Sequence, residues 1–223
     1  MRGRSGVQCL RRCSNRHSVS VMKPATNLRE IVSGLWFWSS LHEEWKVDFS
    51  SCAWKGKEGL VLIDPIKLAP ATLAKLEKVG KPIAILLTNE NHERQADWFR
   101  KKYGIKVHAH RDAVPGIEIK PDEFFTDGAI VPGGLKVIHL PGTCPSESAF
   151  YSEANGGMVL AGDIVTNGKS GLAFLPDDYC KDAKLSRKSA KKLLKLKFDT
   201  LTVAHGNPIH PKAHDQFAKL FSA

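Results

Sequence analysis

The stretch Thr88-Asn89-Glu90-Asn91-His92-Glu93-Arg94 gathers one imidazole, two carboxylates, two amides and a guanidinium into seven residues. Such groups can ligate a metal, move a proton or clamp an anion. The apolar run Ile83-Ala84-Ile85-Leu86-Leu87 stands directly before it. A buried strand therefore delivers the loop at its carboxyl end, the usual address for ligands in layered α/β folds. Pro141-Gly142-Thr143, Gly162-Asp163 and Ala204-His205-Gly206 are further short polar signals placed after apolar runs. His108 and His110 share one face of a strand, where a pair of this kind reads as packed or solvated rather than chelating. Cys144 adjoins Thr143 and as a thiolate would serve as nucleophile or ligand. No base stands at a readable spacing from it, so a small buried thiol is the reading adopted.

These positions need elements to hold them. Leu35-Trp36-Phe37-Trp38 and residues 47–54 are aromatic-rich, partly alternating strands, and Leu60-Val61-Leu62-Ile63 is a short apolar strand closed by Asp64-Pro65. A helix opens near Pro70, aligns Leu73, Leu76 and Val79 and stops at Gly80; a second carries Trp98, Phe99 and Tyr103 and stops at Gly104. Residues 135–140, 148–151 and 158–161 are short strands separated by Gly-Gly, Pro-Gly and Asn-Gly-Gly, the pattern of antiparallel hairpins. One basic helix over residues 184–196, a strand over 200–204 and a last helix with Ala213, Phe217, Leu220 and Phe221 close the chain. Two alternating halves with hairpins between them predict an α/β fold of two sheets packed face to face with helices outside.

Taken in order, Ile63-Asp64, the loop after Leu87-Thr88, Pro141-Gly142-Thr143, Leu160-Ala161-Gly162-Asp163 and Ala204-His205-Gly206 resemble the metallo-β-lactamase superfamily over roughly residues 35–211. The resemblance implies a four-layer αββα sandwich of two mixed β-sheets with helices outside, occupying residues 30–223. It also implies a hydrolase in which T-H-x-H-x-D-H, P-G-H, G-D and G-H-G motifs hold two metal ions, usually zinc. Position by position, Asn89 and Asn91 fall on the first two histidines, Glu93 on the aspartate, Arg94 on the loop's last histidine and Thr143 on the histidine of P-G-H. Asp163 and His205 keep the family's residue types. Amides and a hydroxyl bind zinc far less well than imidazoles, so no metal cofactor is expected, with a single zinc as the alternative. Arg94 is expected to replace the lost metal charge through a forked pair with Asp163 or Glu93. Asp64 takes the structural role of its family counterpart, accepting hydrogen bonds from the loop's backbone.

Three functional readings stay open. In the first, a weak or inactive hydrolase relative binds a small ligand in a vestigial cleft, with Asp163 and His205 as the surviving catalytic positions and Asn89, Asn91, His92, Glu93, Arg94 and Thr143 lining it. In the second, a shift in the loop brings His92 inward to join Asp163 and His205 as ligands of one zinc in a working hydrolase of an ester, thioester or lactone. Against that stands a His92 that only hydrogen-bonds within its loop. An RNA-associated module is a third reading, resting on the basic run at residues 181–197. It ranks below a plain wet helix face, because no aromatic residues interleave the lysines as a stacking platform requires.

A chain of 223 residues with 42% hydrophobic content buries one sizeable core and reads as one soluble domain. No apolar run approaches the roughly 18 residues that span a bilayer. Residues 1–29 carry seven basic side chains and no acid, the composition of a disordered leader or organelle transit segment with Met22 as an alternative start. The five cysteines form no C-x-x-C pair, and the odd number left outside that leader argues for a reducing compartment. A cytoplasmic location is therefore expected, with organelle targeting as the alternative.

Overall fold

The computed structural model describes residues 22–222. Seven strands form one sheet in chain order: β1 (Arg29–Val32), β2 (Leu35–His42), β3 (Val47–Lys55), β4 (Leu60–Ile63), β5 (Pro82–Leu86), β6 (Lys106–His110) and β7 (Glu123–Phe125). Pairing is antiparallel from β1 to β4 and parallel from β4 to β7. The second sheet is built from β8 (Ile130–Val131), β9 (Leu135–His139), β10 (Ser148–Ser152), β11 (Met158–Ala161) and β14 (Thr200–Thr202), in the order β14-β11-β10-β9-β8. Only β11 and β14 pair in parallel there. A hairpin of β12 (Val165–Gly168) and β13 (Gly171–Phe174) stands apart. Both large sheets are thus mixed.

Strand periodicity sorts the apolar side chains into three cores. Leu60 and Leu62 face outward onto α1 (Pro70–Val79) and α2 (Ala96–Tyr103), where Leu73, Leu76 and Phe99 meet them. Val61 and Ile63 face inward between the sheets, against Val137, Phe150 and Leu160. The alternate residues Ile138, Ala149 and Val159 point to the far side, onto α3 (Ala183–Ala190) and α4 (Ala213–Lys219) through Ala190 and Phe217. Sheets that are apolar on both faces must be covered on both, which produces the αββα layering.

The structure corrects the sequence reading in three places. The expected single basic helix is α3 followed by a separate 3-10 turn at Leu193–Lys195, whose tighter winding sets Leu193 in the core beside Ala190. The assigned leader overlaps the fold: residues 1–21 lie outside the described residues, but Met22 is buried, Ala25 pairs with Leu68 and Asn27 bonds to Ser39. The strands β1, β7, β8, β12 and β13 were not expected, being two to four residues long and only partly buried.

Candidate metal centre

Four strand ends meet at one edge of the sandwich: Asp64 after β4, Thr88 after β5, Asp163 after β11 and His205 after β14. Asp64 is buried, with a left-handed backbone at φ 46°, and its carboxylate receives the Thr88 N–H at 2.8 Å and the Thr88 hydroxyl at 2.5 Å. This is the backbone-holding role the resemblance implied. The same carboxylate also reaches His92 Nδ1 at 3.0 Å, and Thr88 Oγ1 lies 2.8 Å from that nitrogen. His92 is thereby aimed inward.

His92 Nε2 lies 3.2 Å from Asp163 Oδ2, and His205 Nε2 lies 3.2 Å from Asp163 Oδ1. The ligand atoms of all three residues fall within 4.8 Å of one another. The two imidazoles are nearly perpendicular, 73° apart with centroids at 5.8 Å. His205 is anchored from behind, its Nδ1 at 2.9 Å from the Asp48 carbonyl. Each ring is therefore fixed through Nδ1 and presents Nε2, the arrangement in which an outer acceptor orients a metal-ligating histidine. Among the described residues no donor meets the buried Asp163 Oδ1 in hydrogen-bonding geometry. Ligand bonds of about 2.0–2.2 Å put neighbouring ligand atoms roughly 3.0–3.4 Å apart, and the two histidine–carboxylate separations of 3.2 Å match what one divalent ion requires. Side-chain exposure is 14% for Asp163, 10% for His205 and 2% for His92, so the centre opens to solvent on the Asp163–His205 side.

Both nitrogens of His92 face carboxylates. Burial opposes its charge, but Asp163 and Asp64 prevail and raise its pKa to about 9. Burial likewise works against the Asp163 carboxylate, yet the neighbouring His92 and His205 hold its pKa well below the usual range.

The remaining expected residues divide. Asn89 joins the centre with its amide N–H groups rather than a lone pair: Nδ2 lies 2.8 Å from Glu147 Oε2 and 3.3 Å from Asp163 Oδ2, while Oδ1 caps the Asn91 N–H. Thr143 Oγ1 donates to Glu147 Oε2 at 2.9 Å. Asn91 is half-buried beside them. Glu93 turns away, accepting the backbone N–H groups of Glu118 and Ile119. Arg94 does not pair with Asp163. Its guanidinium donates to the carbonyls of Ser50, Asp64 and Ala204 and lies 5.3 Å from the Phe49 ring centre. Of the two expected forks, the one with Asp163 gives way to a tie among three strand ends. Cys144 is buried and its thiol is pushed well up by burial. His110 stacks on His139 at 4.0 Å and 16° close to Asp112, with His110 Nδ1 accepting the Asp112 N–H at 3.2 Å and His139 Nε2 2.7 Å from the Pro145 carbonyl.

Glu147 was missed. It is fully buried, accepts from Asn89, Thr143 and the Asp163 N–H, and burial together with the Asp163 charge raises its pKa to about 8. In sequence it sits within Thr143-Cys144-Pro145-Ser146-Glu147-Ser148, a polar run indistinguishable from an exposed loop. Gly162 makes room for it: a Cβ there would stand 2.5 Å from Glu147 Oε1 and 2.7 Å from Thr88 Oγ1.

A family model described as the metallo-beta-lactamase superfamily matches residues 31–223. The chain belongs to that superfamily. Among solved structures it is similar to TTHA1623 in a di-iron-bound form, at 24% identity over 78% of this chain and 93% of that one, with a TM-score of 0.62. It is also similar to a metallo-beta-lactamase from Pontibacter korlensis, at 18% identity over 88% and 98% of the two chains and a TM-score of 0.69. The family protein TTHA1429 from Thermus thermophilus shares 18% identity over 86% and 80%, with a TM-score of 0.66. At these identities the likenesses show the metallo-beta-lactamase fold. Comparison with curated proteins found no match. No helix among the described residues is long and apolar enough to cross a membrane.

Proposed function

We propose that this superfamily member is a hydrolase of a small ester, thioester or lactone that works with one divalent ion held by His92, Asp163 and His205. The supporting observation is the convergence of two back-anchored imidazoles, each with Nε2 at 3.2 Å, on the two oxygens of one carboxylate. When bound, such an ion supplies Lewis-acid polarisation of a substrate carbonyl and activates water for attack. The chain's residues supply the rest. Asp64 and the Asp48 carbonyl lock the two rings, and Asn89 holds Asp163 Oδ2 by an N–H, while Oδ1 faces His205 Nε2. Two Nε2 atoms and one carboxylate suit zinc or ferrous iron alike, the latter through its two-histidine, one-carboxylate preference.

A specific observation favours a second reading. His92 lies between Asp64 and Asp163, so the protonated ring balances both carboxylates without any ion. On that reading the cleft is vestigial and binds a small anionic or carbonyl ligand. Metal analysis of protein purified without chelators separates the two. The first expects about one ion per chain, lost together with turnover of a thioester and lactone panel in His92→Ala and in His205→Ala. Protein that purifies with no ion and takes up none on titration overturns it.

A further inference from the structure

We propose that the Glu147 carboxyl is a built-in occupant of the position beside Asp163, which keeps the centre to a single ion and positions Asp163 and Asn89 for it. The inference rests on the single-ion reading above and adds a residue and a stoichiometry to it. Glu147 is fully buried and both its oxygens are spoken for: Oε1 accepts the Asp163 N–H at 2.8 Å, while Oε2 accepts Asn89 Nδ2 at 2.8 Å and Thr143 Oγ1 at 2.9 Å. Asn89 and Thr143 are two of the three positions at which the resemblance expects imidazoles. Imidazoles there would direct lone pairs at a cation, whereas an amide, a hydroxyl and a backbone N–H direct protons, and protons converge on an acceptor. The polarity of the pocket is inverted, and a carboxyl group fills it.

The packing around Glu147 is consistent with a fitted occupant. Gly162 leaves no Cβ in its way, and Thr88 Oγ1, which bonds Asp64, touches the same space. Asn89 bridges the two carboxyl groups, since Nδ2 donates to Glu147 at 2.8 Å and to Asp163 at 3.3 Å. Removing Glu147 therefore frees Asn89, Thr143 and the Asp163 N–H together, and Asp163 loses the backbone contact that sets its aim. Glu147 acts through these residues and touches no substrate; it is a positioning residue.

Cobalt(II) titration followed by visible absorption, with ion counts from elemental analysis, tests this on the full chain. Glu147→Ala is expected to weaken cobalt binding at least tenfold, Glu147→Gln to weaken it less because its amide keeps one of the two acceptor oxygens, and formate to restore binding in Glu147→Ala saturably. Equal weakening in both variants without formate rescue overturns the positioning role. The occupancy claim has its own arm. Asn89→His, Asn91→His and Thr143→His are combined with Glu147 kept or changed to Ala, each checked for folding by circular dichroism. The histidines are expected to recruit one additional ion only where Glu147 is gone; the same additional ion in both backgrounds overturns the occupancy. Wild-type protein that binds no cobalt defeats the single-ion reading, while the comparison of the two histidine-bearing variants still decides whether Glu147 fills the position.

Discussion

Arg94 carries more of the fold than its place in a polar loop suggests. It serves the carbonyls of Ser50, Asp64 and Ala204. Arg94→Ala leaves these strand-end acceptors short of a charged donor and is expected to cost roughly 2–4 kcal/mol, read from urea unfolding. Arg94→Lys recovers only part of that, because a compact ammonium cannot span three carbonyls as a planar fork does. Gly162→Ala tests a different kind of constraint. Its methyl group would press on the Glu147 and Thr88 oxygens, and roughly 1–3 kcal/mol of stability should be lost by overpacking. A Gly162→Ala protein as stable as wild type would show that Glu147 sits in a loose pocket.

At the scale of elements, β6 and β9 are joined at their ends by the stacked rings of His110 and His139. Burial and the facing His139 lower the His110 pKa from its ordinary 6.5 to about 4, against the opposing pull of Asp112 and Asp127. Above about pH 6.5 folded and unfolded chains both hold this ring neutral. Between pH 6.5 and 4 the unfolded chain binds a proton that the folded stack refuses, so the stability held above pH 6.5 is lost as the pH falls. His110→Asn keeps an acceptor for the Asp112 N–H, and the difference in melting temperature between wild type and variant should shrink or reverse from pH 7 to 4.5. Continuous apolar runs closed by turn residues were legible, as Leu60 to Ile63 before Asp64-Pro65 shows, and so was the glycine stop of α2 at Gly104. Short edge strands carry too few residues to show a period. The basic helix was misjudged for a related reason, since its leucines suit a continuous helix and a helix with a 3-10 turn alike. Within the site, residue types announced His92, Asp163 and His205, but only tertiary geometry decides that His92 turns in and Arg94 turns back.

For the whole molecule, a bound ion adds stability by mass action. At free ion a hundredfold above its Kd the gain is about 2.7 kcal/mol, or roughly 5–10 °C in Tm for a domain of this size. Chelation should remove it, and a chelator-insensitive melt would count against the single-ion reading. The basic run over residues 181–192 is partly neutralised: Lys181 meets Glu90, Arg187 meets Asp177 and Lys192 meets Asp127. The tie made by Arg94 has a different reach. It grips a main-chain oxygen at each of its three anchor points, so the side chains there are irrelevant to it. A saturation library should accept many residues at Ala204 that respect its tight packing, yet almost none at Arg94, making this loop's clasp a one-sided evolutionary dependency.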